Sequence, residues 1–371
     1  MRFTSLTYSS FRNIFSGSVD TDSENIVLYG SNGQGKTNIL ESVYILSYGS
    51  SFRTSALKEC VHYGDEGFSV SGSYTDGTEK GRISVSYYEK NRKIILDGKE
   101  IRDRKALIYQ FPCIVFCHED INYIKGEPEY RRRFFDQMMC LYSPSFFDSL
   151  RSYKSVLMQR NASVRTGDKS LVSLYDSRLA LYGLMLMDER KKAVEEFNKI
   201  FPGLFIEISG TDYELSVVYQ PSWKSVDAED VVSSLRDNIE RDLKMNTTSS
   251  GPHRDRFTIM SQYGPFVQMG STGQIRLCSL IFRIAEAVYY TSLTSKEPIL
   301  LIDDVLLELD SVKRGKVLSS LPRYSQAFFT FLPNEEYNDR MSDRKEREVR
   351  EGKLYEREES LGCNGGILQG V

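Results

Sequence analysis

Eight residues near the start of the chain, Gly30, Ser31, Asn32, Gly33, Gln34, Gly35, Lys36 and Thr37, have the types and spacing needed to hold a row of phosphates. They fit G-x-x-x-x-G-K-[ST], in which glycines let backbone N–H groups turn inward around phosphate oxygens. A helix N-terminus following directly adds its positive dipole end. Lys36 is placed to reach the β- and γ-phosphates, and the Thr37 hydroxyl to ligate Mg²⁺. Far downstream, "PILLIDD" ends in a second chemical pair. Asp303 there suits a water-mediated hold on Mg²⁺, and Asp304 suits orienting or deprotonating an attacking water. A phosphate loop with a distant carboxylate pair describes a nucleoside triphosphatase using ATP and Mg²⁺.

Both motifs need specific elements around them. The loop follows an apolar stretch, Ile26–Tyr29, that reads as a strand, and precedes a helix with Ile39, Leu40, Val43 and Tyr44 on one face. The unbroken apolar run before Asp303 reads as a parallel strand buried on both faces. Between them, residues 66–98 alternate as a β-meander, with Asp-Gly turns at 76–77 and 97–98. "CIVF" at 113–116 is another short buried strand. Residues 128–200 carry helical spacing and read as a helical hairpin or small bundle inserted into an α/β domain. Strand-like alternation returns at "FIEISG" and "YELSVVYQ". A helix, "DAEDVVSSLRDNIERDLKM", then precedes the loop "NTTSSGPHRDRF". The expected division is an N-terminal ATPase part over 1–123, a helical lid over 124–205 and a C-terminal ATPase part over 206–336. Residues 337–371 are expected to be charged and partly disordered, with a mobile glycine-rich end.

Composition narrows the class without naming it. A chain of 371 residues with 40% hydrophobic and 27% charged residues is ordinary for a soluble protein of about two domains. The net charge of −3 confines any nucleic-acid surface to a local patch. No apolar run approaches the ~18 residues of a membrane span, and the start lacks a signal-peptide core, so a cytoplasmic location without a membrane partner is expected. The six cysteines, at 60, 113, 117, 140, 278 and 363, form no CxxC pair. Cys113, Val115 and Cys117 share one strand face and read as buried small hydrophobes. A zinc site would need His62, His118 or His253 to join them.

The distance between the motifs separates families. About 260 residues lie between the loop and the aspartates, far more than in a small GTPase. "Ser271-Thr-Gly273-Gln274" opens a helix shortly before the aspartates, where ABC-type ATPases carry an S-G-G-Q signature, and "Leu309-Asp310" matches their D-loop. In that class the Ser271, Gly273 and Gln274 positions bind the terminal phosphate of ATP held by another subunit. The catalytic set is then Lys36, Asp304 and Ser271. One loop and one signature per chain imply an ATP-dependent homodimer.

The chain resembles the RecF family of SMC- and Rad50-like ATPases. The resemblance is carried by "FRN" at 11–13, "GSNGQGKTNILESVYIL", "SFRT" at 51–54, "ED" at 119–120, "KGEPEYRRRFFD" at 125–136, "QRN" at 159–161, "SGPHRDRF" at 250–257, "STGQIR" at 271–276 and "PILLIDDVLLELD". These run in family order over about 330 residues. Departures are Ile275 where the family has glutamine, Leu307 where serine is common, Arg256 in place of an acid, and "FCHED" before the acidic pair. The "REVREGKLYE" region matches loosely. The resemblance implies an ABC-type head with an inserted helical lid, and ATP-dependent binding of single- and double-stranded DNA at gaps or junctions. It further implies slow, DNA-stimulated hydrolysis, recombinase loading in recombinational repair and replication restart, and RecR and RecO as partners.

Other readings stay open at this level. They are another SMC-like ATPase of DNA maintenance or defence, and a transporter ATPase subunit, although Phe329-Thr330 carries no switch histidine. Arg131, Arg132 and Arg133 are candidate phosphate contacts for DNA, followed by Lys154, Arg160 and Arg165. The same three arginines also fit a solvated or internally paired helix start. Arg12 and Arg53 are candidates for the nucleotide phosphates. His253, Arg254 and Asp255 fit a buried polar network as well as a phosphate contact.

Overall fold

The computed structural model describes residues 1–307, 309–333 and 343–356. It divides into two compact units, Met1–Arg102 with Gln326–Val371, and Asp103–Ser325. The sequence expectation drew its boundaries elsewhere, at 123/124, 205/206 and 336/337.

The first unit builds two sheets around the phosphate-loop helix, Lys36–Tyr48. One sheet is antiparallel, in the order Ile14–Asp20, Arg2–Phe11, Gly67–Thr75, Lys80–Tyr88, Asn91–Leu96, Lys99–Glu100. Its register places Leu6, Tyr8, Val70, Val85 and Ile94 on one buried face. Thr7, Ser9, Ser69, Ser71, Ser84 and Ser86 alternate onto the other face, as one-sided burial of an antiparallel sheet requires. The buried face packs so closely on the helix that a Cβ at Gly72 would lie 2.9 Å from Leu46 Cδ1.

The other sheet has the wholly buried strand Asn25–Tyr29 paired in parallel with Gln326–Phe331 on one side and Arg344–Arg350 on the other. Lys353–Glu356 continues it as a hairpin. Within the segment expected to be charged and partly disordered, Arg344–Arg350 and Lys353–Glu356 are strands joined by a two-residue turn. Val349, fully buried, and the backbone ladder to Asn25–Tyr29 hold this charge-dense segment in place. Residues 337–342 and 357–371 of the expected tail lie outside the described residues. The two sheets are joined by the buried Gln326 side chain, which accepts from Phe3 N at 2.9 Å and donates to Phe3, Thr21 and Ser23 carbonyls.

The second unit is mostly helical. Its aromatic core gathers Phe134, Phe197 and Phe201 around Phe282 of the long helix Thr272–Thr294, with ring centroids 4.5, 4.9 and 5.2 Å from it. Phe135 stacks on Phe257 at 4.5 Å. The expected lid helices, Pro128–Tyr142, Pro144–Thr166 and Asp176–Phe197, therefore belong to the same unit as that long helix. "FIEISG" is also corrected from strand to helix, Phe201–Ser209. Ile206 and Ile208 flanking Glu207 imitate a strand, but Phe201, Phe205 and Ile208 share one buried helical face, and Pro202 suits the first turn. The expected helix 227–245 is two, Ala228–Asp237 and Ile239–Met245. Strand Ile299–Ile302 pairs in parallel with Cys113–Phe116. Among the described residues no helix is long and apolar enough to cross a membrane.

Candidate nucleotide site

The phosphate loop forms where its sequence dictates, between the buried strand Asn25–Tyr29 and the helix beginning at Lys36. Gly33 and Gly35 have φ of 80° and 112°, a region that side chains with a Cβ rarely enter. Gly35 is the N-cap residue of the helix, so the first-turn amides and the dipole end are directed toward the loop. Lys36 is only 4% exposed, and its ammonium donates to the Gly30 carbonyl at 2.7 Å. Ser31, Asn32 and Gly33 are exposed, and Thr37 is half-buried in the first helical turn. These residues suit a polyphosphate, with Lys36 as counter-charge and Thr37 as an oxygen ligand for Mg²⁺.

Arg12 and Arg53 converge on one buried carboxylate in this unit. Glu41 is fully buried on the loop helix and accepts from Arg12 at 2.8 and 2.6 Å, from Arg53 at 3.2 Å and from Ser51 at 2.5 Å. This explains why "FRN" and "SFRT" accompany the phosphate loop: both brace its helix. Arg53 also donates to Asn38 Oδ1 at 2.8 Å. Cys60 lies against Glu41, and burial first, then the neighbouring carboxylate, push its thiol up to about 12.

Sequence reasoning missed one feature of this loop. The turn of the C-terminal hairpin sits on it, with Gly352 N donating to Gln34 O at 2.9 Å and Glu351 N to Gln34 Oε1 at 2.6 Å. Asn13 Nδ2 reaches the same Gln34 carbonyl at 3.1 Å. The glycine of "REGK" was the only signal in the sequence.

In the second unit, Asp303 and Asp304 stand half-buried at the C-terminal end of the buried strand Ile299–Ile302. Asp303 N donates to Phe116 O at 2.9 Å, fixing the strand end. Asp304 has φ of 55°, a left-handed conformation that Asp and Asn adopt more readily than other side chains. Asp310 caps the helix Ser311–Ser319, accepting from Lys313 N at 2.9 Å.

The signature residues begin the helix Thr272–Thr294. Ser271 caps it, accepting from Gln274 N at 3.3 Å, while Gln274 Oε1 accepts from Ser271 N at 2.9 Å. Ser271 and Gly273 are exposed, and a Cβ at Gly273 would meet nothing within 4 Å. The helix end is thus rigid, open and suited to an external anion. Ile275, where the family has glutamine, is buried, so the departure enters the core and leaves the exposed end unchanged. Further along, Arg283 binds Asp120, tying the "ED" motif to the signature helix. Burial pushes the Cys117 thiol beside it well above its ordinary value.

The arginine cluster is largely turned inward. Arg131 donates to the carbonyls of Phe257, Ile124 and Gly126 at 2.7, 3.1 and 3.0 Å, and Arg132 to Asp255 O at 2.9 Å. Arg133 is exposed. Arg160 is fully buried and bonds Asp176, Asp242 and Thr248, which removes it as a DNA contact. Asp255 is also fully buried, accepting from Arg190 at 2.8 Å, Tyr219 at 2.5 Å and Ser222 N at 2.7 Å. Arg190 continues to Asp136 of "RRRFFD". His253 accepts from Tyr153 at 2.7 Å through Nδ1 and donates from Nε2 to Thr248 O at 2.9 Å. Burial above all holds it neutral, with its pKa lowered to about 4. The GPHRD block is therefore an internal brace, in which Arg254 is exposed and donates to Thr248 O at 3.4 Å.

These features match known proteins over nearly the whole chain. A family model for the RecF/RecN/SMC N-terminal domain matches residues 2–346. The DNA replication and repair protein RecF of Treponema pallidum (strain Nichols) is 38% identical over 340 residues, covering 90% of this chain and 94% of its own. The RecF of Leptospira interrogans serogroup Icterohaemorrhagiae serovar Lai (strain 56601) is 32% identical over 358 residues, covering 94% and 98%. Among solved structures, the recombination mediator protein RecF with ATP in the RecFOR pathway superposes with a TM-score of 0.86 at 26% identity, covering 96% of this chain and 97% of its own. An Smc head bound to the C-winged helix domain of ScpA shares the fold alone, with a TM-score of 0.59 at 14% identity. The phosphate loop, the capped signature helix and the aspartate-ended strand are thus set in an ABC-type, SMC-like ATPase fold, and the chain belongs to the RecF family.

Proposed function

We propose that this chain is an ATP-driven DNA clamp of recombinational repair and replication restart. The observation that carries the reading is the signature end. Ser271 and Gly273 form a capped, exposed helix N-terminus that is open to the phosphate of a nucleotide held by a second copy. In this reading Gly30–Thr37 hold ATP, with Lys36 neutralising the transferred phosphate. Thr37 and Asp303 hold Mg²⁺, which offsets charge on the phosphate oxygens when bound. Asp304 orients the attacking water, and Ser271, Gly273 and Gln274 of the second copy close the site.

Dimerisation on ATP embraces single- or double-stranded DNA at gaps or junctions, and slow, DNA-stimulated hydrolysis releases it. RecR and RecO are the expected partners in recombinase loading. Arg133 is the one member of its cluster left to contact DNA. The RecF named in a solved structure as a recombination mediator bound to ATP supports the same reading.

The test measures mass in solution and DNA binding with ATP, with ADP, and for Lys36→Met. The expected result is a dimer that retains DNA with ATP only, abolished in the variant. A monomer that binds ATP and ignores DNA would replace the clamp with a partner-dependent ATPase.

A further inference from the structure

We propose that Asn13 and the C-terminal hairpin turn, Glu351–Gly352, are positioning elements that keep the Gln34–Gly35 peptide in its phosphate-binding orientation. The inference rests on the nucleotide reading above. A trans peptide is planar, so the Gln34 carbonyl and the Gly35 N–H point in opposite directions. Two donors engage that carbonyl from outside the loop, Asn13 Nδ2 at 3.1 Å and Gly352 N at 2.9 Å. The Gly35 N–H is thereby aimed away from the hairpin, toward the concave side of the loop. A flipped peptide would break both bonds and present an oxygen to the phosphates instead of a donor.

The loop cannot fix this orientation by itself. Gly33 and Gly35 flank Gln34, and the freedom that lets them form the cradle also lowers the resistance of the peptide to rotation. The outer clamp supplies the missing constraint, and it is rigid. Asn13 Oδ1 accepts from Asn38 Nδ2 at 2.7 Å, which settles the amide's orientation. Glu351 N adds a bond to Gln34 Oε1 at 2.6 Å. Gly352 has φ of 75°, and a Cβ there would lie 2.3 Å from Asn13 O, so this close approach needs glycine. The hairpin itself is registered by Glu348 opposite Tyr29, the residue before Gly30. Nothing larger than glycine fits at Gly30 either, where a Cβ would lie 2.6 Å from Val349 O.

The test uses the full chain with Asn13→Asp, Gly352→Ala and, as a control on the hairpin's exposed surface, Lys353→Ala. Affinities for ATP and ADP are measured by titration, and melting temperature is measured without nucleotide. Asn13→Asp is isosteric, removes the donor and sets an acceptor against the carbonyl; because it also brings a negative charge near the phosphates, the uncharged Gly352→Ala must show the same loss for peptide orientation to be its cause. Expected is a drop of about tenfold or more in ATP and ADP affinity for both clamp variants, reflecting one charge-assisted N–H bond, with Lys353→Ala matching the wild type. Variants that melt lower yet bind both nucleotides as the wild type does would overturn the proposal and leave the hairpin a purely structural strand. A wild-type chain that binds neither nucleotide would overturn the nucleotide reading itself, and this inference with it.

Discussion

Arg283 donates from Nε and Nη2 to a single carboxylate oxygen of Asp120, at 3.0 and 2.9 Å, in the core of the second unit. Arg283 also bonds Glu286 at 2.7 Å and Tyr123 OH at 2.6 Å, and stands 4.7 Å over the Tyr123 ring. One buried cation thus serves two buried carboxylates, which makes the pair unequal. Asp120→Asn leaves Arg283 with Glu286, whereas Arg283→Met leaves both acids buried without a counter-charge. Breaking such a pair costs about 3–5 kcal/mol. Arg283→Met should lie at or above the top of that range and Asp120→Asn at or below the bottom, read from denaturant unfolding. The reverse order would mean that Asp120 and Glu286 are not held as anions.

Arg160 and Arg133 should separate folding from DNA binding. Arg160→Met strands Asp176 and Asp242, so it should lower unfolding stability by about 3–5 kcal/mol. Arg133→Glu, at an exposed position, should melt like the wild type. Its ATP-dependent DNA affinity should fall, and the slope of log affinity against log salt should flatten by about 0.9 for each phosphate no longer neutralised. Unchanged affinity and slope would remove Arg133 from the DNA surface.

His253 makes stability depend on pH. Its folded pKa is lowered to about 4, because burial disfavours the charged ring between Tyr153 and Thr248. The unfolded chain titrates near 6.5, so between about pH 6.5 and 4 the unfolded state binds more protons and stability falls as pH falls. The contribution is fully present above that window and amounts to at most about 3 kcal/mol. His253→Gln should flatten this part of the stability curve in unfolding measured from pH 7.5 to 4.5. A variant with the wild-type slope there would locate the titration elsewhere.

Asp304→Asn separates binding from turnover. Asparagine tolerates the φ of 55° at this position, so the strand end should keep its shape without the carboxylate. ATP hydrolysis should drop by about 10²–10⁴-fold in single turnover, with ATP affinity within about twofold of wild type. The ATP-bound dimer should then persist longer in light-scattering or mass measurements. Hydrolysis at the wild-type rate would assign the water-orienting role to another residue.

The phosphate loop, the signature cap and the aspartate-ended strand could all be read from consecutive residues. Each is a local device in which a few neighbours fix the backbone: Gly33 and Gly35 by their permitted φ, Ser271 and Gln274 by reciprocal capping, Ile299–Ile302 by unbroken apolarity. The antiparallel meander was equally legible, since its alternation needs only neighbours.

The roles of the charged residues emerged only once the chain was folded. Arg131, Arg132 and Arg160 look like a basic patch in one dimension, yet each has an acceptor on a distant segment, at Phe257, Asp255, and Asp242 with Thr248. The segment Arg344–Glu356 looks like a charged tail, yet its backbone completes a sheet and its turn grips Gln34 across 317 residues. A charge or a backbone amide carries no mark of its eventual partner. Whether it faces water or a buried acceptor is set by which segments the core brings together.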